Sequence, residues 1–352
     1  MKAWVVVECG KPLEELELPT PEPQGDEVLL EVTHAGVCHS DLHIWEGEYD
    51  LGVRGKLRMT DRGVKLPLAM GHEIVGRVAA WGPGAEGKVK KGDIRLVFPW
   101  VGCGECARCK ADEENMCAVR PRALGVYQNG GYATHVLATH WKHLIPIDGL
   151  EPALAATYAC SGVTVYSAIG KLMPMAPDDP IVVVGAGGLG LQCVAILKAM
   201  GHRAICAVDV DASKLEAAKA QGASATVLAG EDTAKRIVEA CGGPVMGVID
   251  LVNGTQTAMA AFDALGKGGK LVQVGLFGGE MRVPLPLMPI RAITIQGSYV
   301  GSLKELRELV SMAQKGQVPP IPITKEPFSA ANSALNRLKD GKVTGRIILS
   351  AG

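Results

Sequence analysis

A chain of 352 residues exceeds one ordinary core, and about 150 residues per domain points to two domains. With 47% hydrophobic and 21% charged residues, the composition argues against disorder and predicts a full globular core. A net charge of −1, with both signs interspersed, gives no electrostatic case for nucleic acid or an anionic membrane as the main partner.

The first apolar run, Ala3 to Val7, is stopped by Glu8 and Lys11, well short of a signal-peptide core. With ten cysteines and no export signal, a reducing cytoplasm is the expected setting. Val28–Val32 alternates like a strand, and Ile74–Val78 follows a Gly71-His72-Glu73 turn. Up to about residue 160 the chain reads as short strands and loops. Within it, the segment between Tyr49 and Gly71 is basic, with Arg54, Lys56, Arg58, Arg62 and Lys65. It reads either as a solvated loop or as a lip over a pocket that selects by size or favours an anion. Next come Cys103, Cys106, Cys109 and Cys117, close enough in sequence to close a tetrahedral shell round one Zn²⁺ with no open position. Gly102 and Gly104 relieve crowding where that loop bends. Two disulfides would be the alternative, but nothing else in the chain looks secreted.

From Ile181 the pattern changes to strands alternating with helices. Strands are expected at Ile181–Val184, Ala204–Val208, Ala225–Leu228, Val248–Val252 and Lys270–Gly275. Helices are expected at Leu189–Met200, Ala212–Gln221, Thr233–Ala240 and Thr255–Leu265. Repeated βα units of this length predict an α/β fold with a doubly wound parallel sheet. The same reading explains the long uncharged stretch Ile181–Leu197, with its four glycines and Gln192, better than a membrane span. The run Gly185-Ala186-Gly187-Gly188-Leu189-Gly190 is G-x-G-x-x-G between an apolar strand and a helix. The first glycine makes the turn, the second admits a pyrophosphate, and the third packs helix on strand. Asp209, at the end of the next strand, suits a ribose diol and repels a 2′-phosphate, which favours NAD over NADP; Asp211 is free to cap the following helix. After Ile293–Gly297, a helix Leu303–Lys315 and a strand Arg346–Leu349 break the alternation and are expected to return to the first domain.

A second metal site is conceivable. Cys38, His72 and Cys160 form a two-cysteine, one-histidine set that would leave a zinc one open position for substrate, although spacing alone does not select them from ten cysteines and eight histidines. Here the chain resembles the zinc-dependent medium-chain alcohol dehydrogenase family from end to end. The resemblance rests on Gly71-His72-Glu73-Ile74-Val75-Gly76 with Gly82, on the 103/106/109/117 cysteine loop, on Ala159-Cys160-Ser161-Gly162-Val163-Thr164, and on Cys38-His39-Ser40-Asp41-Leu42-His43, which is close to the bacterial and yeast type. It implies a mainly-β GroES-like catalytic domain over 1–161, a Rossmann domain over 162–298, and a return to the catalytic domain over 299–352. It implies one catalytic and one structural zinc per chain, with NAD as cofactor. Cys38, His72 and Cys160 would hold the catalytic zinc, Glu73 would sit behind it as an exchangeable ligand, and Asp41 would orient His72. Ser40 would bond the substrate oxygen and pass its proton through the nicotinamide ribose to His43. His39 and Arg346 match pyrophosphate-contacting positions, Thr164 one beside the nicotinamide, and Lys214 one near the adenosine ribose; Leu189 and Val274 complete the cofactor set.

The implied reaction is reversible hydride transfer between an alcohol and NAD. Trp45, Tyr49, Trp100 and Leu276 are candidates for the substrate pocket, where large aromatics would favour primary or flat alcohols. Alternatives within the family are a polyol or hydroxyacyl dehydrogenase, and outside it a non-catalytic NAD-binding redox sensor. Cys160 speaks against the sorbitol type, and the presence of all five of Cys38, His72, Cys160, Ser40 and His43 speaks against the sensor. The partner is expected to be a small alcohol, aldehyde or ketone, and the assembly a homodimer or homotetramer.

Overall fold

Alternate apolar residues bury one face of Val28–Gly36, and this strand becomes the spine of the first domain. In the computed structural model, which describes residues 1–351, it pairs antiparallel with Glu73–Trp81 in a register that sets Gly36 opposite Glu73. That register brings Cys38, two residues past one strand end, beside His72, one residue before the other. The sheet runs Leu144–Pro146, Ile94–Val97, Glu73–Trp81, Val28–Gly36, Arg346–Ser350, Ile323–Pro327, with His135–Ala138 also on Val28–Gly36. The late strand Arg346–Ser350 thus lies inside the early sheet, antiparallel to Val28–Gly36.

The second sheet is wholly parallel. Its six strands run Ala225–Leu228, Ile205–Asp209, Ile181–Val184, Val245–Asp250, Leu265–Gln273, Thr294–Gly297, the dinucleotide-fold order. Ile181–Val184 is buried throughout because helices cover both faces, which is why its sequence is a continuous apolar run. The order reverses between Ile181–Val184 and Val245–Asp250, and a crevice opens at their carboxyl ends.

Three features depart from the sequence reading. The first 160 residues hold more than strands and loops: Cys38 starts a helix His39–Glu46, and Cys160 lies on a π-helical turn, Tyr158–Gly162, between Pro152–Thr157 and Val163–Leu172. Both helices are cryptic in sequence because apolar residues in the first are few and those in the second surround it. The combined segment Pro152–Leu172 is the one helix among the described residues long and apolar enough to cross a membrane, and most of it is buried inside the protein. The basic segment is also ordered locally. Glu48–Asp50 and Lys56–Arg58 form a hairpin with Tyr49 opposite Leu57, followed by a single turn Thr60–Arg62. Helix Leu303–Gln314 packs on Val163–Leu172, so residues just past 299 still cover the nucleotide domain before the chain returns to the other sheet.

Candidate active site: two thiol clusters and a glycine turn

Asp41 organises the first cluster. Its fully buried carboxylate accepts from the Cys38 N–H at 3.0 Å, the Tyr132 hydroxyl at 3.2 Å and the Gly71 N–H at 3.3 Å, and stands 3.1 Å from Nδ1 of His72. One side chain therefore fixes the start of the helix, the glycine turn and the histidine ring. The other ring nitrogen, Nε2, is buried with no protein partner. It faces two thiols: Cys38, His72 and Cys160 offer donor atoms all within 4.8 Å of one another, with the sulfurs 3.9 Å apart. Two zinc–sulfur bonds of ~2.3 Å at a tetrahedral angle would set sulfurs about 3.8 Å apart. The cluster therefore fits a zinc ion, and three donors leave a position open.

Glu73 lies behind it, fully buried. Its Oε1 accepts from the Ser161 N–H at 3.1 Å, and its Oε2 takes a close bond from Nη2 of Arg346. Burial pushes this carboxyl up, and the Arg346 guanidinium pulls it back in part. A Cβ on Gly36 would meet Glu73 Oε2 at 2.0 Å, so only glycine admits this glutamate. The π-helical turn presents Cys160 inward, and the Trp100 indole N–H holds the Ala159 carbonyl at 2.9 Å.

The second cluster, Cys103, Cys106, Cys109 and Cys117, also converges within 4.8 Å, with three of its sulfur pairs 3.5 to 3.9 Å apart. It has four donors and no gap, and among the described residues every cysteine is free of disulfides. A Cβ on Gly102 would lie 2.5 Å from Cys109 Sγ. Glu114 ties this lobe to the domain: it accepts from the Gly102 N–H at 3.1 Å and from Lys142 Nζ at 2.5 Å, with His143 Nε2 at 3.2 Å. Burial would raise the Glu114 carboxyl, but the bonds from His143, Lys142 and Gly102 outweigh it and hold it at about 2.

The glycine turn closes the site from the other domain. Gly185 has φ +95°, a Cβ on Gly190 would collide with the Gly185 carbonyl at 1.9 Å, and nothing stands within 4 Å of a Cβ on Gly187. That empty cradle at the start of helix Gly188–Ala199 is the fit expected for a dinucleotide phosphate, and Leu189 lies in its first turn. A Cβ on Gly188 would strike Arg346 Cδ at 2.4 Å, so Arg346 touches the glycine turn and Glu73 alike. Asp209 accepts from Ala186 N–H at 2.7 Å as well as from Asp211 N–H, so it braces the turn; Asp211 caps the next helix through Ser213. Val274 follows the Leu265–Gln273 strand at the crevice, and Thr164 is buried with its hydroxyl unpartnered. His39 lies within electrostatic reach of Arg346 and Lys214, and its pKa is lowered, by burial first. Ser40 and His43 are half-buried on the same helix, with the His43 ring 4.8 Å from that of Tyr49; burial pushes His43 below the usual histidine range.

Of the four pocket candidates, Tyr49 and Leu276 line one cavity of about 440 Å³, and the Trp100 ring stands 5.2 Å from that of His72. Trp45 is a correction. It is buried in the first domain's core, its indole N–H bonded to the Lys11 carbonyl at 2.5 Å and its ring covered by Lys339. It lies two residues past His43 on the helix, roughly 200° round the axis, and so faces away from that side chain. Sequence reasoning missed Tyr132, which completes the Asp41 hub, and Tyr299, whose ring stands 6.0 Å from Trp100. The former was signalled only by the glycines before it; the latter by nothing in the sequence.

A parallel dinucleotide sheet joined to a β domain with one open and one closed thiol cluster defines a pyridine-nucleotide-type dehydrogenase of the zinc-binding class. Residues 24–149 match the alcohol dehydrogenase GroES-like domain, and residues 188–315 match the zinc-binding dehydrogenase family. The chain is 39% identical to the NAD-dependent alcohol dehydrogenase of Sulfurisphaera tokodaii and 39% identical to that of Saccharolobus solfataricus, over 99% of each chain in both cases. The crystal structure of the alcohol dehydrogenase from Aeropyrum pernix superposes with a TM-score of 0.91 at 32% identity, covering 100% of both chains. The chain belongs to the zinc-dependent medium-chain alcohol dehydrogenase family.

Proposed function

We propose that the protein catalyses reversible hydride transfer between an alcohol and NAD at the Cys38–His72–Cys160 cluster, with one further zinc in the Cys103–Cys117 lobe. The observation that carries this reading is the convergence of two thiols and an unpartnered imidazole nitrogen within 4.8 Å, joined to the glycine turn through Arg346. When bound, the zinc supplies Lewis acidity to a substrate oxygen and NAD supplies the hydride acceptor. The chain does the rest. Asp41 holds the His72 ring so that Nε2 faces the two thiols and leaves the fourth position open. Ser40 takes the hydroxyl proton, and His43, one helical turn on, carries it towards solvent. Glu73, neutralised by Arg346, waits behind the donors as a spare ligand. His39, Arg346 and the Gly185–Gly190 turn receive the pyrophosphate, Asp209 and Lys214 the adenosine ribose, and Thr164 and Val274 the nicotinamide side. Tyr49, Trp100 and Leu276 wall the substrate.

A cytoplasmic setting fits ten cysteines without a disulfide. The outer edge of Thr294–Gly297 is unpaired, with exposed Leu285 and Ile290 nearby, which supports a homodimer or homotetramer built on that edge. The test combines zinc analysis with a steady-state scan of primary, secondary, cyclic and aromatic alcohols against NAD⁺ and NADP⁺. Two zinc ions per chain and NAD⁺-dependent turnover are expected. A chain holding both zinc ions that oxidises no alcohol would refute the reading.

A further inference from the structure

Rings lead away from the open cluster: Trp100 stands 5.2 Å from His72 and Tyr299 6.0 Å from Trp100, and Tyr299 lies within electrostatic reach of Cys160, Tyr49 and one cation, Arg62. Arg62, on the turn Thr60–Arg62, sets its guanidinium 5.4 Å from the centre of the Tyr49 ring, whose other neighbour is His43. It lines the cavity of about 440 Å³ together with Leu57 of the hairpin and Leu276 of the nucleotide domain. Two carboxylates line the same cavity, and both are engaged elsewhere: Asp50 Oδ1 accepts from the Gly52 N–H at 2.9 Å, and Glu280 pairs with Arg282 at 3.0 Å. The nearby Lys56 is paired with Glu48. Of the cations named here, Lys56 and Arg282 are paired, and Arg62 has no ion-pair partner among the described residues. Arg62 stands over the Tyr49 ring and within hydrogen-bonding reach of its hydroxyl, and its remaining N–H groups can meet a planar, two-oxygen acceptor.

Resting on the reaction proposed above, we infer that the substrate is a hydroxycarboxylate, or the corresponding aldehyde-acid, whose carboxylate is received by Arg62 while its hydroxyl lies at the open cluster. The carbon bearing the hydroxyl loses a hydride to NAD⁺, its oxygen loses a proton, and the carboxylate passes through unchanged. A carboxylate matches the single guanidinium charge of Arg62 better than a phosphate dianion does. Leu57, Leu276 and Tyr49 suit the aliphatic chain between the two ends. The basic hairpin is thus a specificity element, and Arg62 is the residue through which it acts.

The test compares kcat/KM for 6-hydroxyhexanoate with 1-hexanol, and 4-hydroxybutanoate with 1-butanol, in the zinc-loaded wild type, Arg62→Met and Arg62→Lys. The wild type is expected to favour the hydroxycarboxylate of at least one pair tenfold or more. Arg62→Met is expected to cut that ratio at least tenfold, chiefly through KM, and Arg62→Lys to keep part of it. In a second measurement, hexanoate should bind the enzyme–NADH complex more tightly than hexanamide by calorimetry, with Arg62→Met abolishing the difference. A wild type that prefers the plain alcohols, a variant that slows both substrates equally, or equal binding of hexanoate and hexanamide would overturn the inference. Turnover of 1-hexanol without any carboxylate preference would defeat this inference alone, whereas no turnover of either substrate would defeat the reaction beneath it as well.

Discussion

Four groups from three stretches of chain meet at Asp41, and this makes a buried carboxylate a positioning device for metal chemistry. Asp41→Asn keeps the shape and removes the charge that fixes the His72 ring. It should weaken zinc at the open cluster about 10–100-fold while leaving the lobe's ion in place, read as chelator competition with zinc counted per chain. His43 is the second residue-scale lever. Burial lowers its pKa, so it stays neutral and able to accept a proton until pH falls below the ordinary histidine range of about 6.5. Alcohol oxidation should therefore lose activity on the acid side with an apparent pKa under that value. His43→Gln should slow the reaction on the order of 10²-fold and remove that limb from the pH profile of kcat/KM.

At the scale of elements, the glycine turn separates two kinds of necessity. Gly190→Ala drives a Cβ to 1.9 Å from the Gly185 carbonyl, so the helix must move off its strand. A cost of about 1–3 kcal/mol is expected, seen as a lower Tm, together with loss of NADH binding by calorimetry. Gly187→Ala meets nothing within 4 Å, so its Tm should match the wild type while NADH binds more weakly. Equal Tm losses in both would refute the distinction. This turn was readable in advance because tight βα turns leave a fixed glycine spacing. The cysteine lobe was readable for a similar reason: four thiols within fifteen residues have few other uses. The open cluster was readable only through the family resemblance, because Cys38, His72 and Cys160 meet through the register of two strands and a π-helical turn, none of which leaves a local pattern. Trp45 was misread because the helix that carries it is short, and without its phase a tryptophan in the core looks the same as one in a cleft.

Across the whole molecule, acid should loosen the fold in two stages. His143 and His202 are pushed down by burial, so the unfolded chain binds protons that the folded one refuses as pH falls through about 6.5. Glu114, held at about 2, contributes stability above its unfolded value of about 4.3 that is lost as pH drops below it. Tm measured from pH 8 to pH 3 should fall first between 7 and 5 and again below about 4.5; Glu114→Gln should flatten the second fall. The sequence disclosed the two domains through the change from short strands to βα repeats, and the late strand's return through the break in that alternation. It could not disclose how the hairpin and the segment 275–281 come to face one another across a cavity, because that contact belongs to neither domain's own pattern.

The bond between Glu73 and Arg346 spans 273 residues of chain. At about 5–20 residues per second, synthesis leaves the glutamate waiting on the order of 15–55 s for its arginine. The cysteine lobe lies entirely within residues 103–117, so its four donors are all present early in that interval. The open cluster waits for Cys160, and its backing carboxylate has no counter-charge until the strand beginning at residue 346 inserts into the early sheet. Order of synthesis therefore sorts the two clusters: one has all its donors by residue 117, and the other gains its last donor at residue 160 and its counter-charge only at residue 346.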